Sequence, residues 1–351
     1  MNFMKKKPIR VSYATTYYDE KEIRAMNKVL RQPNKMIVAG ELVREFERKI
    51  AAIFGKKHGI MVNSGSSANL LALEIADFPE GSEIITPALT FGTTLAPIVQ
   101  KRLNPVFADV KMGAYQIDVG QIEPLITRKT KALMIPSLMG NLPDLARIRE
   151  IARRRRLLFI EDSCDTVGGA FRKKPTGAYS DISTTSFYAS HIVTAAGGGG
   201  MVCVNNPEWA RRALVLSSWG RQSTLFGVHE RSENIRKRFS AKIGGTPYDA
   251  KFIFSEVGYN FQVTDLQAAF GLENLKRLSG FARRRRGNFS RLKKFFSRYE
   301  EYFILPEQLP GGYPVADYIM KNSFVIGCHH GLTEAMFAHL FETFEKFLAK
   351  I

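Results

Sequence analysis

Between Ile60 and Val204 the chain alternates short apolar runs with longer stretches of helical spacing, and this alternation decides its fold class. Residues 60–62, 83–86, 104–109, 132–135, 157–160, 182–187 and 201–204 have the length and apolar character of buried strands rather than of helices. Residues 66–75, 93–100 and 144–153 carry apolar side chains at helical spacing between them. The pattern predicts an α/β domain, a mostly parallel sheet flanked by helices on both faces. A second helical pattern runs from Thr264 toward Tyr299, with a break expected near Gly280. A turn-rich stretch at 306–314 precedes a last amphipathic helix, roughly residues 333–350.

The length of 351 residues accommodates one large and one small domain. The expected division is an N-terminal segment at 1–50 packing on the small domain, a large domain at 51–260, and a small domain at 261–351. With 45% hydrophobic and 24% charged residues, the composition excludes bulk disorder. Cys164, Cys203 and Cys328 are too few and too far apart for a disulfide scaffold or a paired-cysteine metal knuckle. No run reaches the roughly 18 apolar residues a membrane span needs, and Lys5, Lys6 and Lys7 are not followed by an apolar leader segment. The expected compartment is the cytoplasm. The net charge of +18 is partly local, with four-arginine runs at 153–156 and 283–286. Neither run is interleaved with aromatics, so both read as solvated helix faces rather than as a nucleic-acid surface.

Four features fall at strand ends, where open α/β sheets bind ligands. Asn63-Ser64-Gly65-Ser66-Ser67-Ala68 joins a strand to a helix and suits an anion, although it equally reads as a helix cap. Asp162 closes the run 157–160 and can face a ligand or cap a turn. Ser186-Phe187-Tyr188-Ala189-Ser190-His191 offers hydroxyls and one imidazole, and a lone histidine of this kind also serves in cores. Gly197-Gly198-Gly199-Gly200 opens the final strand of the set.

Taken together, these segments resemble the DegT/DnrJ/EryC1/StrS sugar aminotransferase family over residues 10–305. Thr86-Pro87-Ala88-Leu89-Thr90-Phe91 and the segment from Gly258 to Ala269 strengthen the resemblance. It implies an aspartate-aminotransferase type fold and a pyridoxal or pyridoxamine 5′-phosphate cofactor. In the family's terms Gly65, Ser66 and Ser186 match contacts to the cofactor phosphate. Phe91 matches the aromatic that stacks on its ring, and Asp162 matches the carboxylate at its ring nitrogen. Asn260 or Gln262 matches a contact to the neighbouring subunit's cofactor, which implies a homodimer.

One position sets the chemistry within the family. Aminotransferases carry there a lysine that bonds to the cofactor. The aligned residue here is His191, and no lysine occurs between Lys174 and Lys237. The exchange resembles the nucleotide-sugar 3-dehydratase branch. It implies removal of the C3 hydroxyl from a nucleotide-linked 4-keto-6-deoxyhexose, with His191 as base and Asp162 as electronic support. An amino donor such as glutamate would regenerate the cofactor, and surface polysaccharide is the usual destination. Some members of that branch hold an iron–sulfur cluster through cysteines. Three of the matching positions are here Gln222, Thr224 and Ser232, which leaves Cys164 alone, so no metal site is expected. Two departures stand out. The family's Glu-Gly-Gly is matched here by Gly197-Gly198-Gly199, with the glutamate lost, and the small domain is shortened between Pro306 and Tyr313. Other cofactor chemistry, or a non-catalytic binding subunit on the same scaffold, are the alternatives. Arg221 and Arg238 are candidates for meeting a diphosphate.

Overall fold

The computed structural model describes residues 9–33, 36–226, 235–299 and 323–350 except 325 and 327, together with the single residues 302 and 319. The helices, in chain order, are α1 (Glu20–Leu30), α2 (Glu41–Ile53), α3 (Gly65–Ala76), α4 (Gly92–Gln100), α5 (Leu145–Arg155), α6 (Pro207–Leu216), α7 (Ile235–Arg238), α8 (Asp265–Lys276), α9 (Leu278–Phe296) and α10 (Glu334–Leu348). The principal strands are β1 (His58–Val62), β2 (Glu83–Pro87), β3 (Asn104–Ala108), β4 (Thr130–Pro136) and β5 (Leu158–Asp162). Next come β6 (Ala170–Phe171) and β7 (Lys174–Pro175), which form a small separate ribbon, then β8 (Ile182–Ser186) and β9 (Gly200–Val204). A second ribbon pairs β10 (Ala241–Ile243) with β11 (Thr246–Tyr248).

Seven strands form one sheet in the order β1-β9-β8-β5-β4-β2-β3. All adjacent pairs are parallel except those of β9, which runs antiparallel to both β1 and β8. Successive side chains point to opposite faces, and the core splits accordingly. Ile160 and Met134 pack with Leu71 of α3 and Leu216 of α6 on one side. Phe159 and Leu133 pack with Ile148 and Ile151 of α5 on the other. A third cluster joins Phe46 and Ile50 of α2 to Ala268 and Leu272 of α8. Each fully buried large aliphatic or aromatic side chain contributes about 1.5–3 kcal/mol, so the double layer is what holds the sheet's ends in place.

The helical stretch after Thr264 breaks at Arg277, not at Gly280, which lies inside α9. Arg277 has φ −97° and ψ 1°, and its guanidinium is bound to Asp19 at 2.7 Å and to buried Glu22 of α1. That ion-pair cluster ties the N-terminal helix to the joint. The basic run at 153–156 ends α5, where cations complement the helix dipole. Arg154 and Arg155 pair there with Glu123. The segment in which the small domain was read as shortened, 303–318, lies outside the described residues. No described helix is long and apolar enough to cross a membrane.

Candidate active site

The carboxyl ends of β1, β4, β5 and β8 open onto a cavity of about 430 Å³. Gly65, Ser66, Phe91, Asp162, Ser186 and His191 all line it. At its floor lies Asp162, only 6% exposed, at the end of β5. Its Oδ2 accepts from the Asn69 side-chain amide (2.8 Å) and the Thr94 hydroxyl (2.9 Å). Its Oδ1 accepts from the Cys164 backbone N–H at 3.2 Å. Phe91, 70% exposed at the start of α4, stands on the wall.

The first turn of α3 forms one side of the cavity. Ser64 caps the helix, its Oγ accepting from Ser67 N–H at 3.0 Å. The first turn of a helix presents N–H groups that lack intrahelical partners, together with the positive end of the dipole. Gly65 is there for reasons of space. A Cβ at this position would lie 2.6 Å from Ser186 Cβ and 3.0 Å from Cys164 Sγ. Gly200 is under the same constraint, since a Cβ there would lie 2.2 Å from the Ser64 carbonyl oxygen. The two glycines let the α3 turn, the end of β8 and the start of β9 close to backbone contact. The result is a small cradle of backbone and serine hydroxyls suited to a phosphate.

His191 sits on the turn that follows β8, with its N–H bonded to the Tyr188 carbonyl at 3.0 Å. Its Nδ1 lies 3.3 Å from Asp165 Oδ1. Burial works to raise the Asp165 pKa, but the hydrogen bond and charge of His191 outweigh it, helped by Met139 N–H and the Arg285 charge. Asp165 is therefore held below its ordinary range. Tyr13, on the N-terminal strap, and Tyr188 also line the cavity. The strap is fastened to the turn that carries His191 by Thr16, whose hydroxyl donates to the Ala189 carbonyl at 3.1 Å.

Asp165, Tyr13, Asn69 and Thr94 were not singled out from the sequence, and Tyr188 was read there only as part of the Ser186–His191 run. Asp165 lies three residues beyond Asp162, but no periodicity brings it to a histidine 26 residues away. Cys164 lines the cavity with its thiol pushed well above the ordinary range by burial and by Asp162 and Asp165. Among the described residues no cluster of three or more metal-ligating side chains occurs.

Asn260 and Gln262 do not line this cavity. Gln262 borders a separate cleft of about 350 Å³ and donates to the Ser217 carbonyl and the Ser218 hydroxyl. Asn260 accepts from Gln262 N–H at 3.4 Å and pairs by backbone with Ser218. Arg221, stacked against Trp219 and Phe254, borders that second cleft. Arg238 binds Asp249. Among the described residues, no lysine or arginine lines the first cavity.

The sequence matches the DegT/DnrJ/EryC1/StrS aminotransferase family over residues 16–310. The chain belongs to this family. A curated relative from Saccharopolyspora spinosa, dTDP-4-dehydro-2,6-dideoxy-D-glucose 3-dehydratase, is 42% identical over 272 residues, covering 74% of this chain and 58% of its own length. The present chain thus spans about three fifths of that protein. GDP-4-keto-6-deoxy-D-mannose 3-dehydratase of Yersinia pseudotuberculosis is 32% identical over 84% of this DegT-family chain and 74% of its own. The solved structure of the E. coli GDP-4-keto-6-deoxy-D-mannose-3-dehydratase with bound hydrated pyridoxal phosphate superposes with a TM-score of 0.72. It is 27% identical and covers 88% of this chain and 77% of that one. The architecture is the aspartate-aminotransferase type, fold type I of the pyridoxal-phosphate enzymes.

Proposed function

We propose that this DegT-family chain uses pyridoxamine 5′-phosphate to remove the C3 hydroxyl of a nucleotide-linked 4-keto-6-deoxyhexose. The observation that carries this reading is the His191–Asp165 pair at the cavity, where the family's aminotransferases are expected to carry lysine. The residues present fit the coenzyme. The α3 turn at Gly65 and Ser66, with the Ser186 hydroxyl, would hold its phosphate, and Phe91 would cover its ring. Asp162 would meet its ring nitrogen.

When bound, the coenzyme supplies a primary amine for the sugar ketone and a conjugated pyridine ring that accepts electrons. The rest falls to the chain. Asp162 keeps the ring nitrogen protonated, so that developing negative charge is delocalised. An ionised Asp165 can only accept, which places a proton on Nδ1 of His191 and leaves Nε2 as the basic atom. Nε2 would hold the proton released from the carbon that bears the coenzyme's amine and could return it to the C3 oxygen, which leaves as water. Lysine at this position would compete for the coenzyme aldehyde, whereas imidazole does not. An amino donor such as glutamate would restore the amine form. The active unit is a homodimer.

The test is incubation with pyridoxamine 5′-phosphate, glutamate and a panel of nucleotide-linked 4-ketohexoses, read by mass spectrometry. The expected product has lost one water, and the panel identifies the base and sugar. An amino sugar would make the chain an aminotransferase. Coenzyme retention without turnover of any panel member would make it a binding subunit. His191→Asn should reduce turnover by about 10²–10⁴-fold, the usual contribution of a positioned base.

A further inference from the structure

We infer that Asn69 is a positioning residue that aims the Asp162 carboxylate at the coenzyme ring, with Thr184 as its lock and Thr94 as a second support. The inference rests on the coenzyme reading above.

Asn69 is fully buried on α3. Its Nδ2 donates to Asp162 Oδ2 at 2.8 Å and to the Thr93 carbonyl at 3.1 Å. Its Oδ1 accepts from the Thr184 hydroxyl of β8 at 2.6 Å. Both amide protons and the carbonyl are thereby committed. Turning the amide over would set its oxygen against a carboxylate and a carbonyl, two acceptor–acceptor contacts in a buried site. Only one orientation is consistent with these partners.

The consequence lies on Asp162. A carboxylate offers about four acceptor positions. Asn69 and Thr94 take both on Oδ2, and Cys164 N–H takes one on Oδ1. The Cys164 thiol also hydrogen-bonds the carboxylate, and a ring N–H entering from the cavity would meet Oδ1, which carries fewer of the strong donors than Oδ2. The charges agree. Among the described residues Asp162 makes no ion pair, and its donors are neutral groups. A buried anion without a cation is costly, so the counter-charge is left for the ligand to bring. Neutral donors orient the carboxylate, and a pyridinium completes it.

The experiment uses the full chain and pyridoxamine 5′-phosphate carrying nitrogen-15 in its ring. It reads the dissociation constant and the ring-nitrogen resonance, with circular dichroism to check folding. Asn69→Ala should weaken binding about tenfold, or ~1.4 kcal/mol, and move the resonance toward that of the unprotonated ring. Thr94→Val should act in the same direction, and Thr184→Val, one bond further away, less strongly. Wild-type affinity with an unmoved resonance in Asn69→Ala and Thr94→Val overturns the inference. So does weaker binding with an unmoved resonance, which would mark a packing role. Should Asn69→Ala not fold, the two threonine variants decide by the same readouts. If the unaltered chain binds no coenzyme, the functional reading itself falls, and this inference with it.

Discussion

Asp165 is the residue on which the proposed base depends, and it was the least visible in the sequence. His191 stood out because a single position separates two chemistries within the family. Asp162 stood out because it closes an apolar strand. Asp165 has neither mark, and its pairing with His191 is made only when the turn after β8 folds back over the end of β5. Asp165→Asn keeps the shape but replaces an acceptor-only group with one that can turn either way. The Nδ1–H form of His191 is then no longer enforced. Turnover should fall by about 10²-fold or more, as when the orienting carboxylate of a catalytic triad is made neutral, while coenzyme affinity changes little. An unchanged rate, measured with saturating coenzyme, would remove Asp165 from the proton path.

At the scale of elements, the phosphate cradle is a packing solution as much as a binding one. The turn at the start of α3 meets β8 and β9 with no room for a methyl group at Gly65. Gly65→Ala should push Ser186 and Cys164 away from the turn. It should lower stability by about 1–3 kcal/mol and weaken coenzyme binding, both checked by thermal melts with and without coenzyme. A melt identical to the parent's in both conditions would show that the neighbours yield freely. The strands and α3, α4 and α5 were legible because apolar length and spacing report burial directly. Amphipathic α1 and α2 escaped notice because charged residues are spread through both, and α1 buries only Glu22 and Val29. The joint at Arg277 was misplaced at Gly280 because the break follows an ion-pair cluster with α1, a tertiary cause absent from the local sequence.

The whole molecule adds a constraint of charge. The cavity would receive a phosphate and a nucleotide diphosphate, yet among the described residues its lining includes two aspartates and neither lysine nor arginine. Asn260 and Gln262 lie outside it, bordering or adjoining a cleft that carries Arg221, Arg44 and Lys251. A site completed by a second copy accounts for both facts. Light scattering should give a dimer. Mixing inactive His191→Asn with an inactive Asn260→Ala/Gln262→Ala variant should recover about a quarter of the parent activity, from mixed dimers with one intact site. No recovery after subunit exchange would confine the site to one chain.

The sheet's general character was readable in the sequence, but the direction of β9 was not, because a short apolar strand looks the same whichever way it runs. That direction has a consequence for biosynthesis. Among the described residues, β1 has no strand neighbour other than β9, so the strand leading into the cradle cannot join the ladder until residue 204 has left the ribosome. Pairing elements so far apart in the chain is slow, and an unpaired strand edge invites aggregation meanwhile. A nascent polypeptide halted before that point would carry its ligand loop on an orphaned ribbon, a natural client for chaperones.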